Sequence, residues 1–148
     1  RGAGERDYRP PRVDRSTIMP DMESVRSDSI RLLLVDDEVG FAEVISKRLR
    51  KRGMVVTAVF TGTDAVRAIR KQDFDVAILD LKMEDMDGIE VLKIFKKAYP
   101  EMAVIMLTGH GSQTAAKEGL RYGAFDYLTK PCDLEDLVEI IKQAVQAS

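Results

Sequence analysis

Five short apolar runs punctuate the chain: IRLLLVD (30–36), MVVTAVF (54–60), DVAILD (75–80), AVIMLT (103–108) and FDYLT (125–129). Most are continuous rather than alternating, as expected of strands covered on both faces; such strands belong to parallel sheets flanked by helices. The stretches between them are spaced as amphipathic helices. In 40–52 the apolar positions are Phe41, Val44, Ile45 and Leu49, with Gly53 as a stop. In 62–71 they are Ala65, Val66 and Ile69, and in 88–98 they are Ile89, Leu92 and Phe95, ended by Pro100. Segment 112–122 is the weakest amphipath, with Ala115, Ala116, Gly119 and Leu120 before Gly123. In 134–147, Leu137, Ile140, Ile141 and Ala144 share a face, with Asp133 placed to cap it. Strand followed by helix, five times over, predicts one α/β domain: a doubly wound five-stranded parallel sheet with helices on both sides and right-handed crossovers.

Residues 1–29 break this rhythm. They are rich in Arg, Asp, Ser and Pro and poor in aliphatics, so they cannot bury enough apolar surface to fold alone. The expected organisation is a flexible tail over 1–29 and one domain over 30–148. Arg1, Arg6, Arg9, Arg12 and Arg15 are interleaved with acids, which weakens any reading of the tail as a nucleic-acid arm. Of the 148 residues, 45% are hydrophobic and 32% charged, and the formal net charge is −2. That balance gives no general pull toward nucleic acid or an anionic membrane. No apolar stretch approaches membrane-spanning length. Cys132 is the one cysteine, so no internal disulfide can form, which fits a reducing cytoplasm.

Open parallel sheets bind ligands beyond the carboxyl ends of their strands, where the strand order reverses. The first run ends in Asp36 and Asp37, the third in Asp80, the fourth in Thr108, and the fifth runs into Lys130. The second ends in FTGT, without a charged group. With the order 2-1-3-4-5, the first and third strands are neighbours at the reversal. Asp36, Asp37 and Asp80 then converge, with Thr108 and Lys130 alongside. Carboxylates gathered in this way repel one another and raise each other's pKa unless a cation joins them. Hard oxygen ligands select Mg2+ or Mn2+ over zinc, and there is no Cys/His cluster for zinc. A divalent cation, a lysine, a hydroxyl donor and a carboxylate nucleophile are the parts phosphoryl transfer uses.

The segments LLLVDDE, DVAILDLKMEDMDGIEVL, VIMLTGHG and GAFDYLTKP together resemble the receiver domains of two-component response regulators, chemotaxis regulators among them. The likeness runs from Ile30 to about Ala147, and five dispersed positions agree in type, order and strand-end placement. It implies the flavodoxin-like (βα)5 fold. It also implies that Asp80 accepts a phosphoryl group, that Asp37 binds Mg2+ directly, Asp36 mainly through water, and that the Lys82 backbone carbonyl adds a ligand. Lys130 would pair with Asp80 and then with its phosphoryl group. Thr108 and Tyr127 would act as switch residues, and the Lys130–Pro131 bond is expected to be cis. Lys82 and His110 would tune phosphoryl lifetime.

The implied partner is a histidine kinase or histidine phosphotransfer protein. The implied output is a changed surface of the fourth helix, fifth strand and fifth helix, and a homodimer formed on phosphorylation. Neither direct nucleic-acid binding by this domain nor membrane contact is implied. TGHG resembles receivers attached to sigma-54-type transcriptional activators. Where the family usually has Pro after DLKM, this chain has Glu84.

Three rival readings weigh less. A phosphorylation-independent pseudo-receiver would be favoured by missing acidic or lysine positions, and none is missing. An aspartyl-phosphate hydrolase typically carries a second aspartate two residues after the nucleophile, where Lys82 stands. Flavin binding would need a phosphate-cradling loop where this chain has DDEVG. His110, between two glycines in a turn, is a poor phosphohistidine donor. Cys132 reads as a small buried apolar residue. The chain is therefore expected to be a signalling switch with intrinsic self-phosphorylation and autodephosphorylation chemistry, not an enzyme of metabolism.

Overall fold

A computed structural model describes residues 30–109 and 111–147; the expected tail 1–29 and His110 lie outside the described residues. The elements alternate throughout: β1 (Arg31–Val35), α1 (Val39–Lys51), β2 (Val55–Val59), α2 (Gly62–Lys71), β3 (Val76–Asp80), α3 (Gly88–Ala98), β4 (Ala103–Thr108), α4 (Gln113–Arg121), β5 (Asp126–Thr129) and α5 (Leu134–Ala147). The strands form one sheet in the order β2-β1-β3-β4-β5, and every neighbouring pair is parallel. This is the flavodoxin-like arrangement, with the order reversing between β1 and β3.

Successive side chains on a strand point to opposite faces, and the core divides accordingly. Leu32, Leu34, Ile78, Ile105 and Leu107 face α1 and α5, meeting Ala42, Ile45, Leu49, Leu137 and Ile141. Leu33, Val35, Leu79, Val104 and Met106 face α2, α3 and α4, meeting Ala65, Ile69, Leu92, Phe95 and Ala116. β3 and β4 are buried along their whole length. The edge strands differ from the expected two-sided burial: β2 buries only Val56, and no residue of β5 is fully buried. An edge strand has a neighbour on one side only, and Val55 stands 58% exposed at the outer end of β2.

The amino-terminal edge of the sheet is closed by a charge pair. Asp75 Oδ2 accepts the Arg31 amide at 2.8 Å and Nε at 3.3 Å, while Oδ1 accepts Nη2 at 3.0 Å. The Asp75 side chain is 5% exposed, so its charge is met inside the protein rather than by water. Asp75→Ala therefore strands a backbone donor and part of a guanidinium. It is expected to destabilise the fold by about 2–3 kcal/mol, measured as a lowered urea midpoint with an unchanged slope.

Candidate functional site

The opposite edge of the sheet holds the site. β1 and β3 are paired in register, Val35 beside Leu79, so the residues that follow both emerge at the reversal of strand order. Asp36 continues the β1 path, its amide donating to Val59 O at 3.1 Å. Its side chain turns back on the chain, and Oδ1 accepts the Glu38 amide at 2.9 Å. Asp36 is fully buried, Asp80 nearly so, and Asp37 half-buried. One carboxylate oxygen from each of Asp36, Asp37 and Asp80 lies within 4.8 Å of the other two.

Lys130 reaches this cluster from the turn after β5. Its backbone amide donates to Thr108 O at 2.7 Å, and the bond to Pro131 is cis. Nζ lies 2.7 Å from Asp36 Oδ2, 2.6 Å from Glu38 Oε1 and 3.8 Å from Asp80 Oδ2. It also sits 4.4 Å from the centre of the Phe41 ring, a cation–π distance. The Asp36 Oδ2 contact is not a well-angled hydrogen bond, but at 2.7 Å the ammonium is its counter-ion all the same. The expected Lys130–Asp80 contact is thus the longest of three, because Asp36 and Glu38 compete for the same ammonium.

The electrostatics follow. Burial, and then the negative charge of Asp36, push the Asp80 carboxyl up to about 7, against the pull of Lys130 and of the Lys82 N–H. For Lys130, burial lowers the pKa, but the close polar contacts with Asp36 and Glu38 and the charges of Asp36 and Asp80 outweigh it, and the net shift is upward. One ammonium thus meets three carboxylates, those of Asp36, Glu38 and Asp80, and Asp37 adds a fourth to the cluster. The donor set is all oxygen, close-set and under-neutralised, which fits a hard divalent cation and not zinc.

The other expected residues are distributed around this centre. Lys82 donates its backbone N–H to Asp80 Oδ1 at 3.2 Å, while its side chain is exposed. Thr108 is fully buried at the end of β4, and its hydroxyl donates to Leu128 O at 3.5 Å, toward β5 rather than toward the carboxylates. Tyr127 is half-buried against the α2–α4 side of the core.

Two residues were missed in the sequence. Glu38 is the last letter of LVDDE, two places after Asp36, and the sequence reading assigns it no role. Asp85 holds the start of α2 and gave no signal beyond its place in an acidic loop.

The family model described as "Response regulator receiver domain" matches residues 32–142. The chain belongs to the response regulator receiver family. Among curated relatives, this receiver is 36% identical over 112 residues to the DNA-binding transcriptional regulator NtrC of Proteus hauseri, covering 76% of this chain and 24% of that protein. It is 37% identical over 117 residues to the transcriptional regulatory protein GlrR of Escherichia coli, covering 79% and 26% respectively. The chain spans about a quarter of the length of these relatives. Among solved structures, a response regulator receiver domain protein from Clostridium thermocellum aligns with a TM-score of 0.77 at 35% identity, covering 80% of this chain and 95% of that one. The receiver domain of the Francisella response regulator 1452 aligns with a TM-score of 0.73 at 31% identity, covering 80% and 98%. Receivers of this family are two-component signalling domains that bind Mg2+ at an acidic pocket, and in this chain Asp36, Asp37 and Asp80 form a cluster of carboxylates that could hold a metal ion.

Proposed function

We propose that this receiver is a phosphorylation-dependent switch whose acceptor is Asp80. The observation that carries the reading is the meeting of three aspartates and Lys130 at the reversal of strand order. An Asp80 oxygen attacks phosphorus in line. The P–N bond of a partner's phosphohistidine breaks as the P–O bond forms, and the imidazole leaves with the electron pair. Asp36, Asp37, Asp80 and the Lys82 carbonyl would hold Mg2+ (or Mn2+), which supplies positive charge to the phosphoryl oxygens. Attack requires ionised Asp80, so the upward shift of its pKa sets a proton to be lost first. Lys130, tethered by Asp36 and Glu38, swings its ammonium onto a phosphoryl oxygen. Thr108 exchanges the Leu128 carbonyl for the same group, and Tyr127 follows into the space vacated. This shifts a pre-existing equilibrium of the α4–β5–α5 surface. Lys82 and His110 set the lifetime.

The partner is a histidine kinase or histidine phosphotransfer protein, and the compartment is the cytoplasm. Among the described residues no helix is long and apolar enough to cross a membrane. The names of the relatives support a transcription-regulating output, and a downstream effector and a homodimer formed on phosphorylation complete the reading.

The test is intact mass after brief incubation with a small-molecule phosphodonor, with and without Mg2+. One phosphoryl group that needs the metal is expected, labile to acid, base and hydroxylamine as an acyl phosphate is, so spectra are taken with acid-labile loss controlled for. No adduct under any condition would leave a phosphorylation-independent interaction module instead.

A further inference from the structure

The connection from β3 to α3, residues 81–87, is the longest between elements of this fold. Its base is closed tightly. Gly88 N donates to Leu81 O at 3.1 Å, and Lys82 and Asp87 pair as an isolated antiparallel bridge. A Cβ at Gly88 would lie 2.5 Å from Leu81 Cα, so only glycine lets the chain double back here. At the inner end of this loop the Lys82 N–H holds Asp80 Oδ1.

At the outer end, the Asp85 carboxylate caps another helix. Oδ1 accepts the Gly62 amide at 2.9 Å, and Oδ2 accepts the Thr63 amide and hydroxyl, each at 3.0 Å. The first amides of a helix lack an internal partner. In α2 the Ala65 amide makes the first helical bond, to Thr61 O, and the Asp64 amide donates to Thr61 Oγ1, both at 3.0 Å. Asp85 takes the amides of Gly62 and Thr63, so the first turn of α2 draws its remaining protein partners from the loop. The Met86 side chain lies against Gly62 so closely that a Cβ there would sit 2.9 Å from it. The amides of Gly62 and then Thr63 hold the Asp85 carboxyl below the usual range.

We propose that Asp85 is a positioning residue for the acidic pocket. By clamping the loop to the start of α2, it fixes Lys82, whose N–H orients Asp80 and whose carbonyl completes the cation's ligands. This rests on the Mg2+-dependent acceptor reading above. Without the clamp the loop is held at its base and by the packing of Met83 and Met86, with no polar tie at its outer end, and Lys82 samples positions in which neither group faces the pocket. The three aspartates remain, so the pocket weakens toward a cation but keeps its chemistry.

The experiment is calorimetric titration of Mg2+ into the full chain, with amide hydrogen exchange across 81–88 in the absence of metal. The variants are Asp85→Ala, Asp85→Asn and Thr61→Ala. Thr61→Ala removes the neighbouring cap on the same helix without touching the loop, and so reports what loosening α2 does by itself. Asp85→Ala is expected to weaken Mg2+ at least fivefold and to speed exchange at Lys82. Asp85→Asn keeps an acceptor oxygen and should recover part of both. Thr61→Ala should leave the Mg2+ constant within twofold. In phosphorylation assays Asp85→Ala should raise the half-saturating Mg2+ while leaving the rate at saturating metal within threefold of wild type. An unshifted Mg2+ constant in Asp85→Ala, or an equal shift in Thr61→Ala, overturns the clamp alone. A wild type that binds no Mg2+ overturns the acceptor reading and the clamp together.

Discussion

Asp80→Asn is expected to take up no phosphoryl group and, without Mg2+ at about pH 8, to melt several degrees higher than wild type. Both effects come from the same carboxylate. In the folded protein its pKa is raised from 3.8 to about 7, first by burial and then by Asp36. The folded state therefore holds a proton that the unfolded chain has already released across that window. Where the native state binds more protons, stability falls as pH rises. The contribution of Asp80 is thus present below its unfolded value and lost as pH climbs through about 7, a swing of about 2–4 kcal/mol. Asparagine cannot ionise, so the variant should lose this slope, and melting curves taken from about pH 5 to pH 8 would show it. Equal pH dependence in both proteins would mean that Asp80 is not the group under strain. The same proton competes with the cation. In wild type, the apparent Mg2+ affinity should fall about tenfold for each unit of acidification below about pH 7, since one proton must leave for each ion bound.

Lys130→Ala should have the second large effect, and its direction depends on metal. Lys130 is the nearest counter-ion of the fully buried Asp36 and of Glu38, and it also holds the Asp80 pKa down. Removing one partner of a buried pair costs about 3–5 kcal/mol. The metal-free variant is therefore expected to unfold at a visibly lower urea concentration near neutral pH. Saturating Mg2+ should restore much of the loss, because a divalent ion beside Asp36 can stand in for the ammonium. It should not restore phosphorylation. An ammonium aimed at a developing phosphoryl charge is worth about 10²–10³ in rate. Lys130→Arg should recover stability better than rate, because a flat fork cannot place a point charge where Nζ sits. Phosphorylation at the wild-type rate in Lys130→Ala would remove the lysine from the mechanism.

Much of this fold is legible in the amino-acid sequence. The runs of β1, β3 and β4 announce themselves because both faces of those strands are buried, which leaves no room for polar alternation. Strand ends in a parallel sheet share one edge, so Asp36, Asp37 and Asp80 could be gathered by topology alone. What the letters did not carry were choices among partners. Lys130 could have leaned on Asp80; it leans on Asp36 and on Glu38, which lies 92 positions away in the chain. Thr108 could have pointed its hydroxyl into the pocket; a rotamer turns it to the Leu128 carbonyl. Asp85 could have been one more solvated acid in a loop. Its bonds to Gly62 and Thr63 cross 22 or 23 positions, and no local pattern registers a cap supplied from so far away.

That borrowed cap also bears on the order in which the chain folds. A helix that carries its own cap can close its first turn as soon as its residues meet. In α2 Thr61 caps only the Asp64 amide locally, and the Gly62 and Thr63 amides wait for a residue beyond β3, so part of a local element acquires a non-local condition. In kinetic terms, the opening turn of α2 belongs with the docking of β3 against β1 rather than with early helix formation. A one-residue insertion in 81–87, harmless in an ordinary surface loop, would reach across and unfasten a helix that it does not touch in sequence.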